Sequence, residues 1–308
     1  MLQSLRRSTI RGGQHISSDM LTKNQLGYVL MTPALLLIGA ILLYPFFSTL
    51  WMSFHTVRLN MPQLGEPFVG MQNYRDLFAS ARFRNSMWLT GLFAVSFIVA
   101  QLVFGLAIAL VINMEFRGRM MVRAAVLIPW AMALVITALL WRWMYNAVFG
   151  VVNYVLLYMG LLSTNVDFLG SARSAYFSVL VAEVWRNTPF MTIILLAGLQ
   201  SIPRELYESA RIDGAGRIAC FAFITLPLLK YAMLVALLFR SIDAIRAFDL
   251  LYVLTQGGPG ISTEIASLYS YKIMFQYMDF GLGSAATVII AIFTTALAVL
   301  YLRVLRER

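Results

Sequence analysis

The sequence predicts an all-α, polytopic membrane protein with six transmembrane helices, and three observations carry that prediction. Of the 308 residues, 60% are hydrophobic and 12% are charged, against about a quarter charged in an ordinary soluble domain. Uncharged runs of the length a bilayer demands, about 20 residues, recur along the whole chain. Basic residues concentrate in alternate connecting segments, as the positive-inside bias requires. A net charge of +10 is then explained by the membrane, and nucleic acid is not called for as a partner.

The predicted spans follow in order. Segments 28–50, 88–113, 124–141 and 281–302 contain no charge. Segment 174–200 is apolar apart from Arg186, Glu183 and Asn187, and a further span begins near Pro227 and runs into Arg240, Asp243, Arg246 and Asp249. The first run is longer than the roughly 7–15 residues of a secretory signal core, and the Arg6-Arg7 pair lies too far from it for a twin-arginine signal. It reads as a retained span. With the N-terminus inside, the inner segments carry fourteen Lys and Arg and the outer loops six. Both termini are therefore expected in the cytoplasm, with 1–27 a cytoplasmic segment and 28–308 the transmembrane domain. Trp51, Trp88, Trp141, Trp143 and Tyr145 fall at predicted span ends, where amphipathic rings prefer the headgroup layer or pack as ordinary core aromatics.

Enzyme chemistry is poorly provided for. One cysteine, Cys220, and two histidines, His15 and His55, leave no multi-cysteine metal site and no disulfide within the chain. No phosphate loop of the G-x-x-x-x-G-K-[ST] type is present, nor H-E-x-x-H, nor G-x-S-x-G. No metal and no resident cofactor is expected.

The segment 201–227 stands apart. Pro203 suits the first position of a helix, and Glu205 and Glu208 suit its positive end. Asp213-Gly214 should stop it, because glycine adopts the left-handed backbone of a C-terminal cap. A second short helix is expected from Ala215 towards Leu226, with Pro227 marking entry to the next span. The result is a cytoplasmic hairpin with small residues at its bend, read either as a surface connector or as a docking element.

Charges inside spans cost about 2.5–3.5 kcal/mol each on insertion scales, so they need partners or water. Glu183 and Arg186, three apart on one helix face, can pair. Arg240, Asp243, Arg246 and Asp249 alternate in sign every three residues. On an unbroken helix that row winds about the axis, so all four cannot face one point. They are either internal ion pairs or the lining of a wet path.

The residues of the hairpin resemble the EAA motif of binding-protein-dependent ABC importers. They stand as Glu208, Ser209, Ala210, then Asp213, Gly214, Ala215, then Ile224, Leu226, Pro227, with Ser209 a small-for-small departure. Similarity to the carbohydrate branch extends through 68–78 (Gly70, Asn73, Tyr74), 183–203, 247–264 and 268–288. The resemblance implies the type I permease architecture and a bacterial inner-membrane location. It further implies a second permease subunit, two ATPase subunits that bind ATP and Mg, and an extracytoplasmic solute-binding protein. Glu208 to Pro227 would then couple to the ATPase, and Asn187, Arg240, Asp243 and Asp249 would line the path of a sugar such as trehalose or maltose. A glycerol-phosphate importer shares these motifs. An ion-coupled secondary carrier is the competing class, but it has no need of an ATPase-docking hairpin.

Overall fold

The computed structural model describes residues 23–306. The expected cytoplasmic leader up to residue 22, with Arg6, Arg7 and His15, lies outside the described residues, as do residues 307 and 308. Thirteen α-helices appear among the described residues: α1 Lys23–Ser53, α2 Gln72–Ala79, α3 Ala81–Asn113, α4 Arg119–Ala131, α5 Leu134–Met144, α6 Val151–Tyr158, α7 Ala172–Gln200, α8 Arg204–Ile212, α9 Arg217–Cys220, α10 Leu226–Ile245, α11 Asp249–Thr255, α12 Ala266–Phe275 and α13 Phe280–Arg306. Extended pairing among them is limited to isolated bridges, His55 with Phe68 and Arg58 with Asp279. The chain divides into two compact units, one ending at Ser48 and the other running from Thr49.

Among the described residues, five stretches are long and apolar enough to cross a bilayer: Gly27–Ser53, Ala81–Asn113, Ala172–Gln200, Arg217–Ile245 and Phe280–Arg306. The expected third span, 124–141, is not one straight helix. It breaks into α4 and α5, bent by 93°, and it makes the sixth crossing only if the pair counts as one. Pro129 lies in the last turn of α4, and Met132 and Ala133 are extended. A proline there removes one helical hydrogen bond and crowds the preceding turn.

In the second unit α3 and α7 pack along their lengths. Gly105 sits where a Cβ would meet the Met191 side chain, and Gly198 where it would meet Ala232. Small residues let membrane helices approach closely. The largest core joins Phe93 and Phe97 of α3 to Trp141 and Tyr145, Val179 and Ala182 of α7, and Leu251 of α11. Trp141 and Tyr145 are thus core residues, the Tyr145 hydroxyl donating to the Ser178 carbonyl at 3.0 Å. Trp51, Trp88 and Trp143 are exposed.

The segment before α3 is anchored by the residues of its motif. Gly70 has φ +58°, a left-handed backbone that favours glycine. The Asn73 amide donates to the Ser53 and His55 carbonyls at 2.9 and 3.0 Å, and the Tyr74 hydroxyl bonds Ser53 at 2.8 Å. His55 in turn lies against Gly281, where a Cβ would collide with its carbonyl. The beginning of α13 is fixed this way.

Candidate functional site

Three polar features stand out against the apolar frame: a cavity at the α7–α10 contact, a buried ion cluster beside α12, and the exposed hairpin around α8.

A cavity of about 380 Å³ is lined by Glu183, Arg186 and Asn187 of α7, by Arg240 and Asp243 of α10, by the linker residues Arg246, Ala247 and Phe248, and by Asp249 and Leu250 at the start of α11. Trp130 and Leu134 complete it. They flank the α4–α5 break, so the break places an aromatic ring at the cavity. All four charges of the row from Arg240 to Asp249 meet here, against expectation. The physical reason is that α10 ends at Ile245 and the chain restarts at Asp249, so the winding of a continuous helix does not apply.

The expected Glu183–Arg186 pair is also replaced. Asn187 Nδ2 donates to Glu183 Oε1 at 2.7 Å, and Arg186 donates to Asn187 Oδ1 at 3.1 Å. Glu183 instead faces Arg240 across the helix contact at 3.9 Å. Arg240 further donates through Nε to Gln101 Oε1 at 2.7 Å and through its other arm to Asp243 at 2.9 Å. Its side chain is 4% exposed, whereas that of Asp243 is 60% exposed. Arg240 and Asn187 therefore spend their hydrogen bonds inside the protein. Asp243, Arg246 and Asp249 are exposed and offer acceptors and donors to the cavity. Arg186 Nε is buried without a partner among the described residues. Gln101 was not singled out from the sequence, although a lone amide inside an apolar span must find a partner somewhere.

A second cluster, around Glu264, has no signature in the local sequence. Arg82 grips Glu264 with two bonds of 2.7 and 2.8 Å, and Lys272 donates to the same carboxylate at 2.6 Å. Tyr277 accepts from Arg82 at 3.0 Å. Glu264 is fully buried. Burial alone would raise its carboxyl, but the Arg82 and Lys272 hydrogen bonds outweigh it and hold the group below the usual range. Gly257, with φ +86°, lies where a Cβ would crowd Lys272 Nζ and Glu264. Arg82 lies 182 positions from Glu264, so no local pattern announces that contact.

In the hairpin, α8 ends at Ile212 with Asp213 as its cap, and Gly214 takes φ +82°. No atom lies near its missing side chain, so glycine is required here for backbone shape. The Ala215 N–H closes the bend on the Ala210 carbonyl at 2.8 Å. Ala210, Ala215 and Ile224 are half-buried, whereas Glu208, Ser209, Asp213, Gly214, Leu226 and Pro227 are exposed. Ile212 and Ile218 are 87% and 85% exposed, an apolar tip on a polar hairpin. The expected separate second helix is corrected. α9 passes through a π-turn, Phe221–Thr225, directly into α10. The Leu226 N–H reaches back to Phe221, and this wider turn takes up Pro227, whose missing N–H would otherwise break an α-type ladder.

Residues 77–307 match the family described as "Binding-protein-dependent transport system inner membrane component". The chain is 40% identical over 284 residues to the trehalose/maltose transport system permease protein MalF of Thermococcus litoralis, covering 92% of this chain and 95% of that one. It is 36% identical to the sulfoquinovosyl glycerol transport system permease protein SmoG of Agrobacterium fabrum, covering 92% and 91%. It is 34% identical to the trehalose transport system permease protein SugA of Mycobacterium tuberculosis, covering 89% and 86%. A chain from a bacterial ABC transporter involved in import of the acidic polysaccharide alginate shares the fold, with a TM-score of 0.80 at 24% identity over 92% of this chain and 95% of that one.

Proposed function

This chain belongs to the family of binding-protein-dependent transport system inner membrane components, and we propose that it forms one half of the membrane path of an ATP-driven importer for a sugar. A second permease subunit completes the path, two ATPase subunits bind ATP and Mg, and an extracytoplasmic binding protein delivers the solute. Both termini and the 201–227 hairpin lie in the cytoplasm of a bacterial inner-membrane protein, and residues 28–308 form the permease domain. The observation that carries this reading is the hairpin. It presents Glu208, Ser209, Ile212 and Asp213 outward and continues without a break into the helix that bears Arg240 and Asp243.

The cavity supports a sugar as cargo. Open carboxylates accept from hydroxyl groups and guanidinium groups donate to them, while Trp130 and Phe248 can lie against the apolar face of a pyranose ring. Formal charges cancel around it: Glu183, Asp243 and Asp249 oppose Arg186, Arg240 and Arg246. That balance favours a neutral disaccharide such as trehalose or maltose over a glycerol phosphate, which would enter a low-dielectric site with an unmatched charge.

The test is ATP hydrolysis by the reconstituted complex of this chain with its candidate permease, ATPase and binding-protein partners. Trehalose or maltose should stimulate hydrolysis, and glycerol phosphate should not. Failure to assemble with any ATPase, together with uptake that follows the membrane potential, would instead favour a secondary carrier.

A further inference from the structure

Among the described residues, two side-chain hydrogen bonds join α8 to other elements. One is the Arg204–Glu115 pair, with both side chains mostly in water, 81% and 68% exposed. Exposed pairs of this kind hold geometry weakly. The other is a bond of 2.9 Å between the hydroxyls of Tyr207 and Thr225. Thr225 is buried, and Tyr207 packs with Ile224 against a core of Leu195, Leu199, Ile202 and Leu229. Of the residues in α8, Tyr207 and Ala210 alone turn away from solvent.

Thr225 occupies an unusual position. It is the last residue of the π-turn, and its hydroxyl also reaches the Cys220 carbonyl at 3.4 Å. A π-turn holds one residue more than an α-turn, and such turns gather at functional places. Slipping its bonds by one residue would rotate everything beyond it by roughly 100°. Pro227, two residues on, cannot restore the bond that an α-ladder would place there. Arg240 lies roughly 22 Å further along the same helix, at 1.5 Å per residue.

We propose that the Tyr207–Thr225 hydroxyl pair is the positioning tie through which the hairpin sets the register of the π-turn, and so the placement of Arg240 and Asp243 at the cavity. This rests on the reading of the hairpin as the ATPase-coupling element. Packing alone tolerates sliding and rotation, whereas a hydroxyl pair anchored on the buried Thr225 fixes one register. Movement of α8 then acts on the widest turn of a helix that is otherwise rigid down to the cavity.

The experiment compares Tyr207→Phe, Thr225→Val and the conservative Thr225→Ser in the reconstituted complex, reading assembly, ATP hydrolysis and solute uptake separately. The tie predicts that Phe and Val leave assembly and hydrolysis near normal and raise the ATP used per solute by about fivefold, the equivalent of one hydrogen bond of roughly 1 kcal/mol. Serine should restore the ratio. A second reading uses Ala247→Cys as an accessibility reporter in a Cys220→Ala background, with maleimide as the probe. ATP should change its labelling rate in the tied protein and not in Thr225→Val. An unchanged ATP-to-solute ratio in both variants overturns the inference, as does loss of assembly in both, which would make the pair a packing contact. Failure of the unsubstituted chain to assemble with an ATPase would overturn the underlying importer reading instead.

Discussion

The cluster at Glu264 and the cluster at Arg240 are made from the same groups, guanidinium and carboxylate, and they leave different surfaces behind. At Glu264 both carboxylate oxygens are taken, by a two-pronged Arg82 and by Lys272, and the carboxylate has no exposed face. At the cavity the inner members are equally closed, Arg240 being held by Gln101, Glu183 and Asp243. Its outer members, Asp243, Arg246 and Asp249, stay exposed. A saturated cluster holds structure. A cluster with open members can exchange its water for the hydroxyls of a solute, because those groups already tolerate a changing partner.

The largest effect should come from breaking the saturated cluster. Glu264→Gln leaves two cations around a neutral amide and should cost roughly 3 kcal/mol, the low end for a broken buried pair, since Arg82 keeps 32% of its side chain in water. Thermal unfolding in detergent or lipid would register it. An unchanged midpoint would mean that the cluster carries no stability.

Acidification should reproduce that loss gradually. The folded Glu264 carboxyl lies below the ordinary value of 4.5, so its contribution is complete above that value and disappears only as the pH falls through the depressed one. The stability gap between the unsubstituted protein and Glu264→Gln should therefore narrow below about pH 4.5, and a gap that persists would assign it to packing.

At the hairpin, Gly214→Val forces a β-branched residue into φ +82°, at a cost of about 1–2 kcal/mol. It should uncouple hydrolysis from uptake while the protein still inserts, whereas Gly214→Asn should retain most coupling, because asparagine tolerates that backbone. Equal activity in the two would detach the bend's shape from its role.

Local features of the molecule were legible in the sequence, and those that depend on distant partners were not. Five apolar runs read directly as helices, and the stop at Asp213-Gly214 is where α8 ends, because caps act within a turn. The break at Met132-Ala133 escaped notice since both residues are apolar and only Pro129 hints at it. Pro227 reads as a boundary until a π-turn absorbs it. Glu264 and Arg82 are 182 positions apart, and no spacing rule connects them. The four charges recur every three residues in the sequence, but they do not share one helix, since α10 ends at Ile245 and α11 begins at Asp249. Residues on both sides of the break after Ile245, Ala244, Ile245, Leu250 and Leu251, pack into the same core, and no local signal marks the break between them.

The smallest effect on stability should fall on the open members of the cavity. Asp243→Asn and Asp249→Asn keep the size of the side chain while removing one charge and turning one carboxylate acceptor into an amide donor. The measurement is the apparent affinity for solute in uptake, taken beside the unfolding midpoint of each variant. At least one variant should show affinity weakened by about fivefold to tenfold, the loss of one charge-assisted hydrogen bond, with a midpoint close to that of the unsubstituted protein. Unchanged affinity in both, or a fall in midpoint like that of Glu264→Gln, would make the cavity a second structural cluster and remove it from the path.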